Sequence, residues 1–111
     1  MAYSVTRSAE FTGQLSQTVE YVHGTLCSPR AAKAIVDELD RQIRLVSEHP
    51  LWFPIDQRMS DIFGMDIHRI SIRSYVAYYL VSDVSQTVHL ITFRHQSQDI
   101  STYESFDSYE S

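Results

Sequence analysis

The sequence predicts an α+β fold: an N-terminal strand, an antiparallel helix hairpin, then a three-stranded antiparallel meander, all in one sheet (β-α-α-β-β-β). Three observations carry this. Apolar residues recur at helical spacing from Phe11 to Leu26 and again from Ala32 to Val46. Residues 65–99 hold three runs rich in β-branched and aromatic residues, broken by short polar turns. Pro50 and Pro54 stand between the two halves and forbid a regular element there.

Tyr3 and Val5 alternate with Ser4 and Thr6, which predicts a short strand over 2–6. Ser8 offers a helix N-cap with Glu10 in the first turn. Phe11, Leu15, Val19, Val22 and Leu26 then mark one face of an amphipathic helix. Gly13 costs that helix about 1 kcal/mol relative to alanine without stopping it. Ser28-Pro29 opens a second helix with a cap and a proline at its first position. Ala32, Ile35, Leu39, Ile43 and Val46 form its stripe, and Pro50 ends it. The short connection between the helices predicts a hairpin. In the connector, Trp52 and Phe53 are expected to plug one end of the core. Residues 58–64 are polar and fit no single element. Residues 65–73, 75–81 and 87–94 are the three remaining strands, the middle one apolar on both faces.

The chain has 111 residues, enough for one core, and a net charge of −5. Residues 1–57 carry five Lys and Arg against seven Asp and Glu; residues 58–98 carry four against three; residues 99–111 carry none against four. The acidity therefore sits largely in the tail, and the strand region is mildly basic. This excludes a broadly cationic nucleic-acid coat but leaves room for a small arginine patch. Cys27 is the one cysteine, so an intrachain disulfide and a multi-thiolate metal site are both ruled out. It reads as a small apolar filler between helices. No apolar run approaches the roughly 20 residues of a membrane helix. The N-terminus lacks a signal-peptide core, so a cytoplasmic location is expected. No internal repeat divides the chain. A single domain over 1–99 and a flexible acidic tail over 100–111 are expected, the tail serving solubility.

Several segments, taken in order, resemble the RelE/ParE superfamily of toxins from type II toxin–antitoxin pairs. They are Tyr-Ser-Val-Thr-Arg-Ser-Ala-Glu-Phe at 3–11, Ser-Pro-Arg-Ala-Ala at 28–32, the 50–54 connector, His68-Arg69-Ile70, Ser-Tyr-Val-Ala-Tyr-Tyr at 74–79, and Phe-Arg-His-Gln-Ser-Gln-Asp at 93–99. The resemblance implies a cognate antitoxin as partner, a hetero-oligomer with it, and no cofactor. RelE-like members cut mRNA in the ribosome as metal-independent endoribonucleases; ParE-like members poison DNA gyrase without nuclease chemistry. The fold does not choose between these, and the RNA-cutting activity is the first expectation.

Metal-independent RNA cleavage needs a base for the 2′-OH proton, cations for the phosphorane charge, and an acid for the leaving oxygen. Arginine suits the charge role through its planar fork, and histidine or tyrosine can move protons. Arg69 and Arg73 stand four apart on one expected strand, hence on one face about 13 Å apart. The resemblance matches Arg69 to a phosphate-contacting arginine, Arg73 more weakly, and His95 to a proton-transfer histidine. Arg94 joins the set, although a regular strand would turn it away from His95. Tyr103 lies near the place of a catalytic tyrosine, with the matching offset falling on Glu104. Ser97 and Gln98 stand where the family commonly has basic residues, so one transition-state arginine is replaced by a neutral amide. His68 and His89 are expected on adjacent strands, without a third ligand at metal spacing.

Overall fold

The computed structural model describes residues 2–97. Its elements are β1 (Ser4–Arg7), α1 (Ala9–Glu20), a π-helical turn (Tyr21–Thr25), α2 (Pro29–Glu48), α3 (Gln57–Phe63), β2 (His68–Ile72), β3 (Tyr75–Ser82) and β4 (Thr87–His95). Ser8 caps α1: its Oγ accepts the Phe11 N–H at 3.0 Å and donates to the Ile91 carbonyl at 2.8 Å. One hydroxyl thus starts the helix and ties it to β4. Ser28 accepts the Ala31 N–H at 3.3 Å, with Pro29 at the first helical position as expected.

The π turn changes the helix stripe. The Leu26 N–H reaches back five residues to the Tyr21 carbonyl at 3.0 Å. The wider turn breaks the four-residue spacing, so Val22 is buried while Leu26 is 54% exposed. Cys27 follows in a left-handed conformation, φ 51°, and is exposed rather than packed between helices.

The four strands make one sheet in the order β1-β4-β3-β2. β2, β3 and β4 form the expected antiparallel meander. The sheet as a whole is mixed, however, because β1 adds to the far side of β4 in parallel, Ser4 opposite Thr87 and Arg7 opposite Leu90. No hairpin constrains that pair: the chain leaves β1 through three helices and returns at the other edge. β1 covers β4 only as far as Leu90. Beyond it, α1 takes over the edge. Gln14 Oε1 accepts the Phe93 N–H at 2.7 Å and the Thr92 hydroxyl at 2.9 Å. A backbone donor and a buried hydroxyl that β1 does not reach are satisfied this way.

Both faces of the sheet are covered. On one, Phe11, Val22, Ile35, Leu39 and Val46 from the helices meet Ile70, Ile72, Ala77, Tyr79, Val88, Leu90 and Phe93. On the other, Met59 of α3 packs with Ile67, Val76 and Tyr78. The polar 58–64 stretch is therefore a short helix over the reverse face. Asp56 caps it, accepting the Met59 N–H at 2.9 Å, and Gly64 ends it at φ 73°.

The connector only partly closes the core. Phe53 packs on it, but Leu51 and Trp52 are 67% and 69% exposed, Trp52 stacking on His49. Tyr79 is fully buried, stacks on His68, and donates its hydroxyl to the Pro50 carbonyl at 2.6 Å. Burial pushes its phenol well above the ordinary value near 10. The charged form is disfavoured only in the folded chain, so stability is fully present below pH 10 and falls as the pH rises above it. A tyrosinate absorbance titration is expected to show one phenol that ionises only with unfolding, and Tyr79→Phe is expected to remove that phase.

Candidate functional site

The strand register places each candidate side chain. Directly opposed residues share a face. Arg69 lies opposite Tyr78, which lies opposite Thr92; Ser71, Val76 and Arg94 form the next row. Both rows belong to the reverse face, where Val76 and Tyr78 pack under α3. Arg69 and Arg94 are thus two strands and two residues apart, about 12 Å between Cα atoms. Arg69 carries a half-exposed guanidinium 3.9 Å from Asp56, and its main-chain N–H donates to the Pro54 carbonyl.

His95 lies opposite Tyr75, whose ring packs on the helix-side core and stacks on Phe93. The imidazole meets Tyr75 edge-on at 5.2 Å. Its Nδ1 takes the Ser97 N–H at 3.1 Å and sits 2.6 Å from the Ser97 hydroxyl. Arg69 and His95 therefore fall on opposite faces of the sheet.

Arg73 is not on a strand. It occupies the two-residue turn between β2 and β3 at φ 55°, so its spacing from Arg69 does not put both on one face. Its charge is felt at Glu38 of α2. That carboxyl is held below its usual range chiefly by the hydrogen bond from Arg41, then by one from Gln42, with smaller contributions from the Arg41 and Arg73 charges. Tyr103, Gln98, Asp99 and the tail lie outside the described residues. His68 and His89 are separated by β3, so they are not on adjacent strands. His68 Nδ1 bonds the Phe53 carbonyl, and His89 Nδ1 lies 2.7 Å from the Thr6 hydroxyl. Among the described residues, no three His, Cys, Asp or Glu side chains gather to hold a metal, and no helix is long and apolar enough to cross a membrane.

What the structure does bring together is Arg94 and His95. A register shift at Tyr78/Tyr79 puts a bulge in β4. Arg94 and His95 leave opposite faces of the strand past it, and both border a cleft of about 280 Å³ at the end of β4 with Tyr75, Phe93, Gln14, Gln17, Thr18 and Tyr21. The cleft is bordered by Tyr75 and Phe93, by Gln14, Gln17 and Thr18 of α1, and by Arg94 and His95 at the end of β4. The α1 contribution has a signal in the sequence: Gln14, Gln17, Thr18 and Tyr21 recur at three- and four-residue steps beside the apolar stripe.

A family model described as "ParE toxin of type II toxin-antitoxin system, parDE" matches residues 5–100. The chain belongs to this ParE toxin family. The match runs from the second residue of β1 to just past β4, so it takes in nearly all of the described fold. The fold is also that of a chain in the toxin-antitoxin complex RelBE2 from Mycobacterium tuberculosis. The two share 19% identity with a TM-score of 0.53, over 86% of this ParE-family chain and 100% of the other. No curated protein matches the sequence.

Proposed function

We propose that this ParE-family toxin acts by occupying a protein target, DNA gyrase, and not by cutting RNA, and that a cognate antitoxin holds it inactive in the cytoplasm. One observation carries the proposal: Arg69 and His95, the matched phosphate-holding and proton-moving residues, are on opposite faces of the sheet. In-line RNA cleavage needs both within hydrogen-bond reach of one phosphodiester. The neutral Gln98 at a commonly basic position and the net charge of −5 agree with a toxin that does not hold a polyanion.

The ribosome-dependent endoribonuclease keeps a specific observation in its favour, namely that Arg94 and His95 line one cleft beside Tyr75. There Arg94 would hold the phosphate and His95 would move the proton. Inducing the chain without its antitoxin and mapping what breaks separates the two. Gyrase-linked DNA breaks with intact message are expected; cuts within translated message would overturn the proposal.

A further inference from the structure

The described residues leave eight large apolar side chains exposed, and three of them, Leu51, Trp52 and Ile55, lie in or just after the connector between α2 and α3. Trp52 is the chain's one tryptophan, and its indole is a large apolar surface to leave 69% in water. The next residue does the opposite: Phe53 turns onto the core and meets Tyr79 edge-on at 6.4 Å. The same short segment thus buries one ring and holds the larger one out.

The display is rigid. The Pro50 carbonyl accepts the Tyr79 hydroxyl at 2.6 Å, and the Phe53 carbonyl lies 2.8 Å from His68 Nδ1. The Pro54 carbonyl accepts the Arg69 main-chain N–H at 2.9 Å, and the Asp56 N–H donates to the Ile67 carbonyl at 2.7 Å. Trp52 is also held directly. Its N–H bonds the His49 carbonyl at 3.1 Å, and its ring stacks on the His49 imidazole at 3.7 Å, within 7° of parallel. A side chain ordered before it meets a partner loses little freedom on binding. Tryptophan in such a setting is the commonest kind of interface anchor.

The charges around it select the partner. Residues 48–67 hold Glu48, Asp56, Asp61 and Asp66 against one base, Arg58. Asp56 is paired with Arg69, and the other three acids are exposed. Two copies meeting through this patch would set like charges face to face, which disfavours self-association. An enzyme that holds DNA presents cationic surface to the phosphates, and an acidic rim complements it. We infer that the connector is the toxin's docking surface for DNA gyrase: Trp52, flanked by Leu51 and Ile55, is the anchor, and the carboxylates are the rim that meets the enzyme's cationic, DNA-handling surface. The inference rests on the gyrase reading above and adds to it the surface that is used.

The test uses the full-length chain, purified DNA gyrase and the cognate antitoxin. Trp52→Ala is expected to weaken gyrase binding by about thirtyfold or more, the loss typical of an interface hot spot. It is expected to end gyrase trapping in cells while antitoxin binding and the urea midpoint stay as in the wild type, since the indole is exposed. Leu51→Ser with Ile55→Ser probes the same patch without touching the His49 stack and is expected to weaken gyrase binding too. Val84→Ser removes a still more exposed apolar side chain, at the β3–β4 turn, and is expected to change nothing. Gyrase binding and trapping by Trp52→Ala equal to the wild type would overturn the inference and leave the gyrase reading standing. So would antitoxin binding lost in its place, or a wild-type dimer that Trp52→Ala dissociates, which would make the occupant the antitoxin or a second copy. A wild type that neither binds nor traps gyrase would overturn the reading and the inference together.

Discussion

Phe93→Ala is expected to lower the unfolding free energy by about 3–5 kcal/mol, the range for emptying a fully packed aromatic site. Phe93 is 1% exposed, stacks on Tyr75 at 5.4 Å and meets Phe11 edge-on at 5.8 Å. Its ring therefore joins β4 to β3 and to α1. Its N–H is the one that Gln14 accepts, so slackening here also loosens the plug on the β4 edge. Domains of this size are stable by about 5–15 kcal/mol in total, so one ring accounts for a large share. Urea unfolding followed by circular dichroism reads the effect as a shifted midpoint with an unchanged slope. A loss below about 1 kcal/mol would show that the site collapses around the gap and that the packing described is not decisive.

Met59→Ala is expected to cost about 2–5 kcal/mol, with a more local consequence. Met59 is fully buried and brings α3 onto Ile67, Val76 and Tyr78. A seven-residue helix has too few turns to persist alone, so its order rests on that contact and on its Asp56 and Gly64 caps. Losing α3 would also remove the carboxylate beside Arg69. Amide hydrogen exchange in the variant is expected to quicken first over 57–63, while α2 and β3 stay protected. Uniform loss of protection would mean that the reverse-face cluster is not a separate unit.

The helices were legible because their apolar stripes and caps are local signals. Ser8, Ser28 and Pro29 all do what their positions predict. The strands were legible through composition. Strand order was not: nothing in Tyr3 to Thr6 encodes which edge it joins, and its parallel partner β4 lies about 80 residues away in the chain. The reverse-face core was missed because α3 has just two large apolar residues, Met59 and Ile62, facing the sheet. Arg73 was misplaced for a backbone reason. Counting by two from Arg69 assumes an extended chain, and Arg73 has φ 55° in a tight turn. The bulge before Thr92 likewise decides which face each residue from Thr92 to His95 takes, and bulges leave little trace in a single sequence.

The central claim is that the two residues a nuclease would need together are divided by the sheet. Wild-type chain and the Arg69→Ala/His95→Ala double variant should be induced side by side without antitoxin, with message ends mapped by primer extension and gyrase-linked DNA breaks counted. Both are expected to leave message intact, to trap gyrase on broken DNA and to arrest growth alike. Message cuts made by the wild type and lost in the double variant would contradict the account.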